Sequence, residues 1–247
     1  MIVGVVGAGT MGAGIAQVCI VAGHAVRLHD VSPEATAGAV ARIEAGLGRM
    51  VAKGRLEPIA HVAASARLTT VPDLAELATD ADVVIEAAIE DLAAKQAIFA
   101  TLDEAAAPEA LLATNTSALS VTAIAEATTH PGRVVGLHFF NPAPLMRLVE
   151  VVSGAHTRGS AVDEAIAFAE GLGKDPVACH DAPGFIVNRV NRPFTLEALR
   201  MLETGEADIV AIDAAMVAGG YPMGPFALID LVGMDINLAV AQTLYEG

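Results

Sequence analysis

The sequence is short of cysteine, of basic residues and of long apolar runs, and each shortage excludes a class of protein. Its two cysteines, Cys19 and Cys179, are too few and too far apart for a disulfide framework or a cysteine-based metal site, so we expect no metal and a reducing, cytoplasmic location. With 14 basic and 29 acidic residues, the chain lacks the positive surface that nucleic-acid binding requires. No run of about 18 residues is both apolar and uncharged, so no membrane association is expected.

The amino terminus also lacks the marks of a secretory signal. Residues 1–7 have no basic lead and too short an apolar run, so we expect the fold to begin at the first residue. A chain of 247 residues has room for one large domain or two smaller ones.

Short apolar runs alternate with helical segments over residues 1–180. The runs that predict buried strands cover residues 2–6, 26–29, 82–87 and 111–114. The segments that predict helices cover residues 11–22, a stretch that begins at Ser32-Pro33-Glu34, and residues 92–105. This alternation predicts an α/β fold with a Rossmann-type doubly wound sheet. Two further strands, 134–140 and 147–152, are joined by the short, turn-rich segment 141–144, which predicts antiparallel pairing.

The pattern changes after the strand-like residues 176–179. The Asp-Ala-Pro-Gly sequence at 181–184 interrupts the chain, and we predict a domain boundary at residue 181 and a smaller all-α domain over residues 182–247. The predicted helices lie near residues 184–202, 206–218 and 233–245, with breaks at 219–222 and 224–225. These helices are too few to bury much alone, which favours a homodimer formed through them. The last pattern stops at Gly247, so we expect a truncated or disordered tail.

A glycine motif lies between the first predicted strand and the first predicted helix. Residues 7–12, Gly-Ala-Gly-Thr-Met-Gly, match the G-x-G-x-x-G fingerprint of dinucleotide-binding folds. Gly7 permits a tight turn and Gly12 allows close packing of helix on strand. Gly9 lets the backbone at Thr10 and Met11 approach a pyrophosphate at the helix N-terminus. The alternative is an ordinary glycine-rich turn.

Asp30 favours the dinucleotide interpretation. It ends the second predicted strand, 18 residues after Gly12, where the acidic partner of the adenine ribose is expected. A carboxylate there repels a 2′-phosphate, and Val31 follows instead of an arginine that could neutralise one. The sequence therefore predicts NAD as the cofactor in preference to NADP.

Oxidation of an alcohol with a nicotinamide needs a base for the hydroxyl proton, and histidine is the commonest choice. Of the seven histidines, His138 lies late in a predicted strand, near the sheet edge where ligands bind in such folds. The other six fall in turns, element ends or exposed-looking stretches: His24, His29, His61, His130, His156 and His180. If the hairpin folds back about residue 144, His138 faces Glu150, which would orient the imidazole and raise its basicity. A core histidine beside a solvated edge glutamate is the alternative.

Polar side chains follow another buried strand at residues 114–117, Thr-Asn-Thr-Ser. In a doubly wound sheet, Asn115 and Ser117 are expected to reach the cleft beside the nicotinamide, although capping of the next helix is an equal alternative. Asn188, early in the second predicted domain, carries an amide that could bond a substrate oxygen.

These segments resemble the 3-hydroxyacyl-CoA dehydrogenase family, which includes the 3-hydroxybutyryl-CoA dehydrogenases, and the resemblance spans the chain. The segments that carry it are Gly7-x-Gly9-x-x-Gly12, Asn115-Thr116-Ser117, His138-Phe139-Phe140-Asn141-Pro142, Val149-Glu150-Val151-Val152, Pro183-Gly184-Phe185-Ile186-Val187-Asn188-Arg189 and Pro222-Met223-Gly224-Pro225. The resemblance implies NAD-dependent oxidation of a short-chain (S)-3-hydroxyacyl-CoA to the 3-oxoacyl-CoA, in fatty-acid β-oxidation or phenylacetate breakdown.

The resemblance also implies roles for single residues. His138 would be the general base and Glu150 its orienting partner, while Ser117 and Asn188 would hold the C3 oxygen and the thioester end of the substrate. Glu90 and Lys95 would contact the nicotinamide half of NAD, and Lys53 would lie near the CoA phosphates. From the residues alone, these three could equally be an acid at a helix start and two surface lysines.

The chain departs from the family pattern in places that bear on substrate choice. Ala118 stands where many relatives carry a second serine, and Asn191-Arg192 replaces apolar residues. The segment 188–194 is most similar to the branch associated with phenylacetate breakdown, whose members act on 3-hydroxyadipyl-CoA. Because Arg192 lies one helical turn from Asn188, it is a candidate partner for a distal carboxylate of the substrate.

Two other interpretations stay open. Another β-hydroxyacid dehydrogenase would use a lysine in place of the His–Glu pair, but the candidate lysines, Lys95 and Lys174, lack the expected sequence context. An NAD-binding protein without turnover is the second. A multifunctional oxidation enzyme is not expected, because no hydratase domain precedes Met1.

Overall fold

A computed structural model describes residues 1–234, 237–238, 241–242 and 245. The chain folds as two compact units, Met1–Asp181 and Ala182–Gly247. Among the described residues, no helix combines the length and apolar character needed to cross a bilayer. Within the same residues, histidine, cysteine, aspartate and glutamate side chains form no group of three or more that is placed to bind a metal.

The first unit is built on one sheet with eight strands. These are β1 (Ile2–Val6), β2 (Ala25–His29), β3 (Leu68–Thr70), β4 (Val83–Glu86), β5 (Leu111–Thr114), β6 (Val134–Phe139), β7 (Leu148–Ser153) and β8 (Asp175–His180). Their order is β3-β2-β1-β4-β5-β6-β7-β8, and all neighbours are parallel except β6 and β7. The predicted α/β doubly wound fold and the antiparallel pair are confirmed.

Seven helices complete the first unit. They are α1 (Thr10–Val21), α2 (Pro33–Ala52), α3 (Pro58–Ser65), α4 (Leu74–Ala78), α5 (Leu92–Ala105), α6 (Val121–Ala125) and α7 (Gly159–Gly171), with a 3₁₀ turn at Pro131–Arg133. Helix α2 begins as the sequence predicts, because the Ser32 side chain accepts from the Ala35 amide and Pro33 occupies the first turn. Strands β4 and β5 are buried at every position, which is why they read as continuous apolar runs.

The second unit contains α8 (Val187–Glu203), α9 (Ile209–Ala218) and α10 (Pro225–Val232). Helix α8 begins later than residue 184 because Gly184 and Phe185 have positive φ angles of 71° and 49°. The break expected at 224–225 marks the start of a helix that the sequence analysis did not predict, since Gly224 caps α10 and Pro225 is its first residue. The helix predicted over 233–245 includes residues 235–236, 239–240 and 243–244, which lie outside the described residues.

Candidate active site

The glycine motif forms the turn between β1 and α1. Gly7 has a φ of 96°, and a Cβ there would lie 2.5 Å from the carbonyl oxygen of Ala87. A Cβ at Gly12 would collide with the carbonyl oxygen of Gly7. A Cβ at Gly9 would meet no atom within 4 Å, and no side chain caps α1 at this residue. The α1 N-terminus therefore presents its amides beside open space, which fits a pyrophosphate.

Asp30 is fixed beside this turn by two backbone amides. Its Oδ2 accepts from the Ala8 amide at 2.7 Å, and its Oδ1 accepts from the Ser32 amide at 2.9 Å. Each carboxylate oxygen can accept further bonds, so the group can still receive two ribose hydroxyls. The turn thus offers the acid and the amides that an adenosine diphosphate group needs.

Arg42 is a cation at the same turn that the sequence analysis did not identify. Its Nη2 donates to the carbonyl oxygen of Ala8 at 2.6 Å, although the residue lies within α2. The prediction of NAD over NADP rested on the Asp30 carboxylate and on the residue that follows it, Val31, which is 93% exposed. The surroundings of Asp30 therefore include an arginine that reaches the turn from a later helix.

His138 and Glu150 are paired across the β6–β7 hairpin. They are direct partners in the ladder, as the sequence predicts. Nδ1 of His138 lies 2.6 Å from Oε2 of Glu150, and both side chains are almost fully buried. An ionised carboxylate can only accept a hydrogen bond, so Nδ1 carries the proton of this bond, and in the neutral form of the ring Nε2 then holds the lone pair. The geometry presents an imidazole oriented to accept a proton at Nε2.

Other groups hold the hairpin in place. Nζ of the buried Lys174 donates to the carbonyl oxygens of Ala143 (2.6 Å) and Met146 (2.8 Å), in the segment that joins the two strands. Burial, with Arg147 nearby, lowers the pKa of Lys174. Oδ1 of Asn115 accepts from the amide of Phe139 at 2.8 Å, which ties the end of β5 to the strand that carries His138.

A charged cluster lies at the ends of β4 and β5. Lys95 on α5 is 1% exposed, and its Nζ lies 2.6 Å from Glu86 Oε1 and 3.4 Å from Glu90 Oε2. Glu90 Oε1 accepts from the Thr116 hydroxyl at 2.5 Å and from the Ser117 amide at 2.9 Å. The cluster brings together three residues of the sequence prediction, Glu90, Lys95 and Ser117. The capping alternative for 114–117 is not what occurs, because Ser120 caps α6.

The remaining predicted residues lie elsewhere. Lys53 is exposed at the C-terminal cap of α2, where a cation also suits the helix dipole. In the second unit, Asn188 is half-buried in the first turn of α8, and burial lowers the pKa of Arg192 one turn later. Arg192 lines a cavity of about 510 Å³ together with Arg189, Arg200 and other α8 residues.

Two residues of these arrangements were missed in the sequence, namely Glu86 and Arg42, and Lys174 was considered only as a candidate base. Glu86 left a signal in the sequence, because it is an acid at the end of an apolar run, just as Glu150 is an acid within one. Arg42 and the hairpin contacts of Lys174 left none, because the partners lie more than 25 residues away in the chain. His29 lies at an element end, as predicted, since it is the last residue of β2, but it is buried there, with 6% exposure and its Nδ1 3.2 Å from the Val71 carbonyl oxygen.

Comparison with known proteins identifies matches along the whole chain. The family model described as "3-hydroxyacyl-CoA dehydrogenase, NAD binding domain" matches residues 2–182. The family model described as "3-hydroxyacyl-CoA dehydrogenase, C-terminal domain" matches residues 184–247. A 3-hydroxyadipyl-CoA dehydrogenase of Escherichia coli is 50% identical over 99% of this chain, which spans 51% of that protein. The mitochondrial hydroxyacyl-coenzyme A dehydrogenase of Sus scrofa is 45% identical over 98% of this chain and 79% of its own length.

A solved structure has the same fold. The crystal structure of 3-hydroxybutyryl-CoA dehydrogenase from Escherichia coli superposes with a TM-score of 0.96 at 49% identity, covering 100% of this chain and 52% of that chain. The present chain thus spans about half the length of the Escherichia coli relative and of the chain in the Escherichia coli crystal structure.

Proposed function

Since the chain belongs to the 3-hydroxyacyl-CoA dehydrogenase family, we propose that it oxidises a short-chain (S)-3-hydroxyacyl-CoA to the 3-oxoacyl-CoA with NAD. The first unit is the NAD-binding domain of that family. We assign the second unit, residues 182–247, to substrate binding and dimerisation. The observation that carries the proposal is the buried pair of His138 and Glu150 near the carboxyl end of β6.

The pair supplies the base for the reaction. As the C3–H bond of the substrate breaks and its electron pair leaves as hydride, the C3 hydroxyl becomes a carbonyl and its proton passes to Nε2 of His138. Glu150 holds the ring in the correct tautomer and stabilises the imidazolium that forms. NAD, when bound, supplies the acceptor for the hydride.

The residues at the β1–α1 turn fit the adenosine and pyrophosphate parts of NAD. The turn at Gly7–Gly12 and the amides of Thr10 and Met11 would hold the pyrophosphate, while Asp30 would accept bonds from the ribose hydroxyls. Asn115, Glu90 and Lys95 would line the nicotinamide side, which is supported by their common location at the ends of β4 and β5.

Four residues are assigned to the substrate. We assign Ser117 and Asn188 to the C3 oxygen and the thioester end, and the exposed Lys53 to the CoA phosphates. Arg192 would pair with the distal carboxylate of a dicarboxylyl substrate, which is supported by the three arginines that line the cavity along α8. The name of the Escherichia coli relative, a 3-hydroxyadipyl-CoA dehydrogenase, agrees with this assignment.

The lysine-dependent alternative is less well supported. Lys95 is buried against Glu86, and Lys174 is engaged by two backbone carbonyls, so neither lysine is arranged as a proton acceptor for a substrate.

A homodimer through α8–α10 is supported by exposed apolar side chains such as Val190, Val210 and Leu231. The two free cysteines suit a reducing cytoplasm.

The proposal is tested by following NADH absorbance with purified protein and a panel of 3-hydroxyacyl-CoA thioesters, including 3-hydroxybutyryl-CoA and 3-hydroxyadipyl-CoA. We expect turnover with a thioester and none with the free hydroxy acid. The Arg192→Ala variant should lose activity selectively for the diacid. Absence of turnover with every thioester, despite measurable NAD binding, would favour the non-catalytic alternative.

A further inference from the structure

Glu86 is a fully buried carboxylate that lies behind the cluster of Lys95 and Glu90. It is the last residue of β4, its exposed fraction is 0%, and it pairs in register with Thr114 of β5. Oε1 accepts from the Ala88 amide at 2.6 Å and Oε2 accepts from the Thr114 hydroxyl at 2.7 Å. A buried charge requires this degree of hydrogen bonding, so the orientation of the carboxylate is fixed from both sides.

The third bond of Glu86 is to Lys95. Nζ of Lys95 donates to Oε1 at 2.6 Å, and the two side chains are 1% and 0% exposed. Glu90, whose side chain is 44% exposed, is the more distant partner at 3.4 Å. Because Coulomb attraction is stronger where water is excluded, Glu86 determines the location of the ammonium group more than Glu90 does.

Glu90 is in turn left available to the loop after β5. Its Oε1 accepts from the Thr116 hydroxyl, the Ser117 amide and the Ala118 amide. If Lys95 lost its buried partner, its ammonium would move toward Glu90, the only other carboxylate within 4.0 Å of it among the described residues. That movement would draw Glu90 away from the loop that carries Ser117.

We propose that Glu86 is a positioning residue for the nicotinamide half of the cofactor, acting through Lys95 and, beyond it, Glu90. The inference rests on the proposed function, in which Glu90 and Lys95 face the nicotinamide. Glu86 itself is 0% exposed, so it would act without touching substrate or cofactor.

The test compares two ligands that share an adenosine diphosphate ribose. NAD carries the nicotinamide and ADP-ribose lacks it, so the ratio of their Kd values isolates the nicotinamide side. For Glu86→Gln we expect the Kd of NAD to rise about tenfold or more, which is the effect expected when one partner of a buried charged hydrogen bond is removed. The Kd of ADP-ribose should change by less than about twofold. Glu86→Asp keeps the charge but withdraws the oxygens from Lys95, and should give the same selective loss with less effect on folding.

The matched control is Asp103→Asn, which breaks another buried carboxylate–cation pair in the same unit, Asp103 with Arg133. It should lower the Tm and leave the ratio of the two Kd values unchanged. Equal weakening of NAD and ADP-ribose by Glu86→Gln and Glu86→Asp, or no weakening of either, would overturn the inference by showing a purely structural role.

Lys95→Met separates the inference from the proposed function. A selective loss of NAD affinity in Lys95→Met, with no further loss in the Glu86→Gln/Lys95→Met double variant, supports action through Lys95. If Lys95→Met leaves the ratio unchanged, the nicotinamide role of Lys95 in the proposed function is wrong, and this inference fails with it. If Lys95→Met shifts the ratio and the Glu86 variants do not, only this inference fails.

Discussion

Nδ1 of His138 lies 2.6 Å from Oε2 of Glu150, across a hairpin in which the two residues are direct partners. The contact is buried, whereas the other described His–Glu pair, His61 with Glu44, is 28% and 44% exposed. Burial strengthens the electrostatic coupling and makes the orientation of the ring dependent on one carboxylate. The predictions for the Glu150→Gln and His138→Ala variants follow from this coupling.

Glu150→Gln should lower kcat about 10- to 100-fold, as expected when the group that orients and charges a working imidazole is removed. The neutral amide can still bond the ring, but it cannot stabilise the imidazolium. Steady-state kinetics with a 3-hydroxyacyl-CoA measure the effect, and Glu170→Gln on the exposed surface of α7 is the control. A kcat for Glu150→Gln within twofold of wild type would show that the carboxylate has no role in turnover.

Asp30→Asn should weaken NAD binding about 10- to 100-fold, because a hydrogen bond to a charged group contributes about 1.5–3 kcal/mol. The same change removes the acid that lies at the same turn as Arg42, so NADP should become a better substrate. In Asp30→Asn/Arg42→Ala this gain should disappear. The KM values for both cofactors provide the measurement, and an unchanged NAD to NADP preference in Asp30→Asn would refute the assignment.

Two glycines of the same turn should respond differently to alanine. Gly9→Ala places its methyl in open space, so the free energy of unfolding should change by less than about 1 kcal/mol. The same methyl would occupy the space proposed for the pyrophosphate, so the affinity for NAD should fall about tenfold or more. Gly12→Ala drives a methyl into the Gly7 carbonyl and should destabilise the fold by about 1–3 kcal/mol. Denaturant unfolding and NAD titration separate the two. Full NAD affinity in Gly9→Ala would place the pyrophosphate elsewhere.

Asp103 should make the stability of the first unit depend on acid pH. Burial opposes its ionisation, but hydrogen bonds from Thr129 and Arg133 outweigh burial and lower its pKa from 3.8 to about 2. A carboxyl whose pKa is lower in the folded state stabilises the fold above pH 3.8, and that stability is lost as the pH falls toward 2. The difference corresponds to about 2–3 kcal/mol.

Urea unfolding from pH 6 to pH 2 tests this account. Wild type should lose stability below about pH 4 more steeply than Asp103→Asn, which should already be about 3 kcal/mol less stable at pH 7. Parallel pH profiles for the two proteins would show that folding does not lower the pKa of Asp103.

The sequence is sufficient to predict the sheet, the NAD fingerprint and the His138–Glu150 register, because each depends on local periodicity, glycine spacing or hairpin symmetry. The sequence is insufficient where a structural element depends on a hydrogen bond from a residue far away in the chain. Helix α10 was missed because its first amides, at Phe226 and Ala227, are capped by the Asp213 carboxylate of α9. The short elements α3, β3, α4 and α6 contain too few residues for a clear periodic pattern.

The most direct test of the central claim is kcat/KM for NADH formation by His138→Ala, with the Kd of NAD measured on the same protein. His61→Ala is the matched control, since it removes a half-buried histidine that forms the other His–Glu pair among the described residues. The account expects a loss on the order of 10²–10⁴ in His138→Ala with NAD affinity retained, and no loss in His61→Ala. Activity of His138→Ala within about tenfold of wild type would contradict the account, because removal of a general base cannot leave so much turnover.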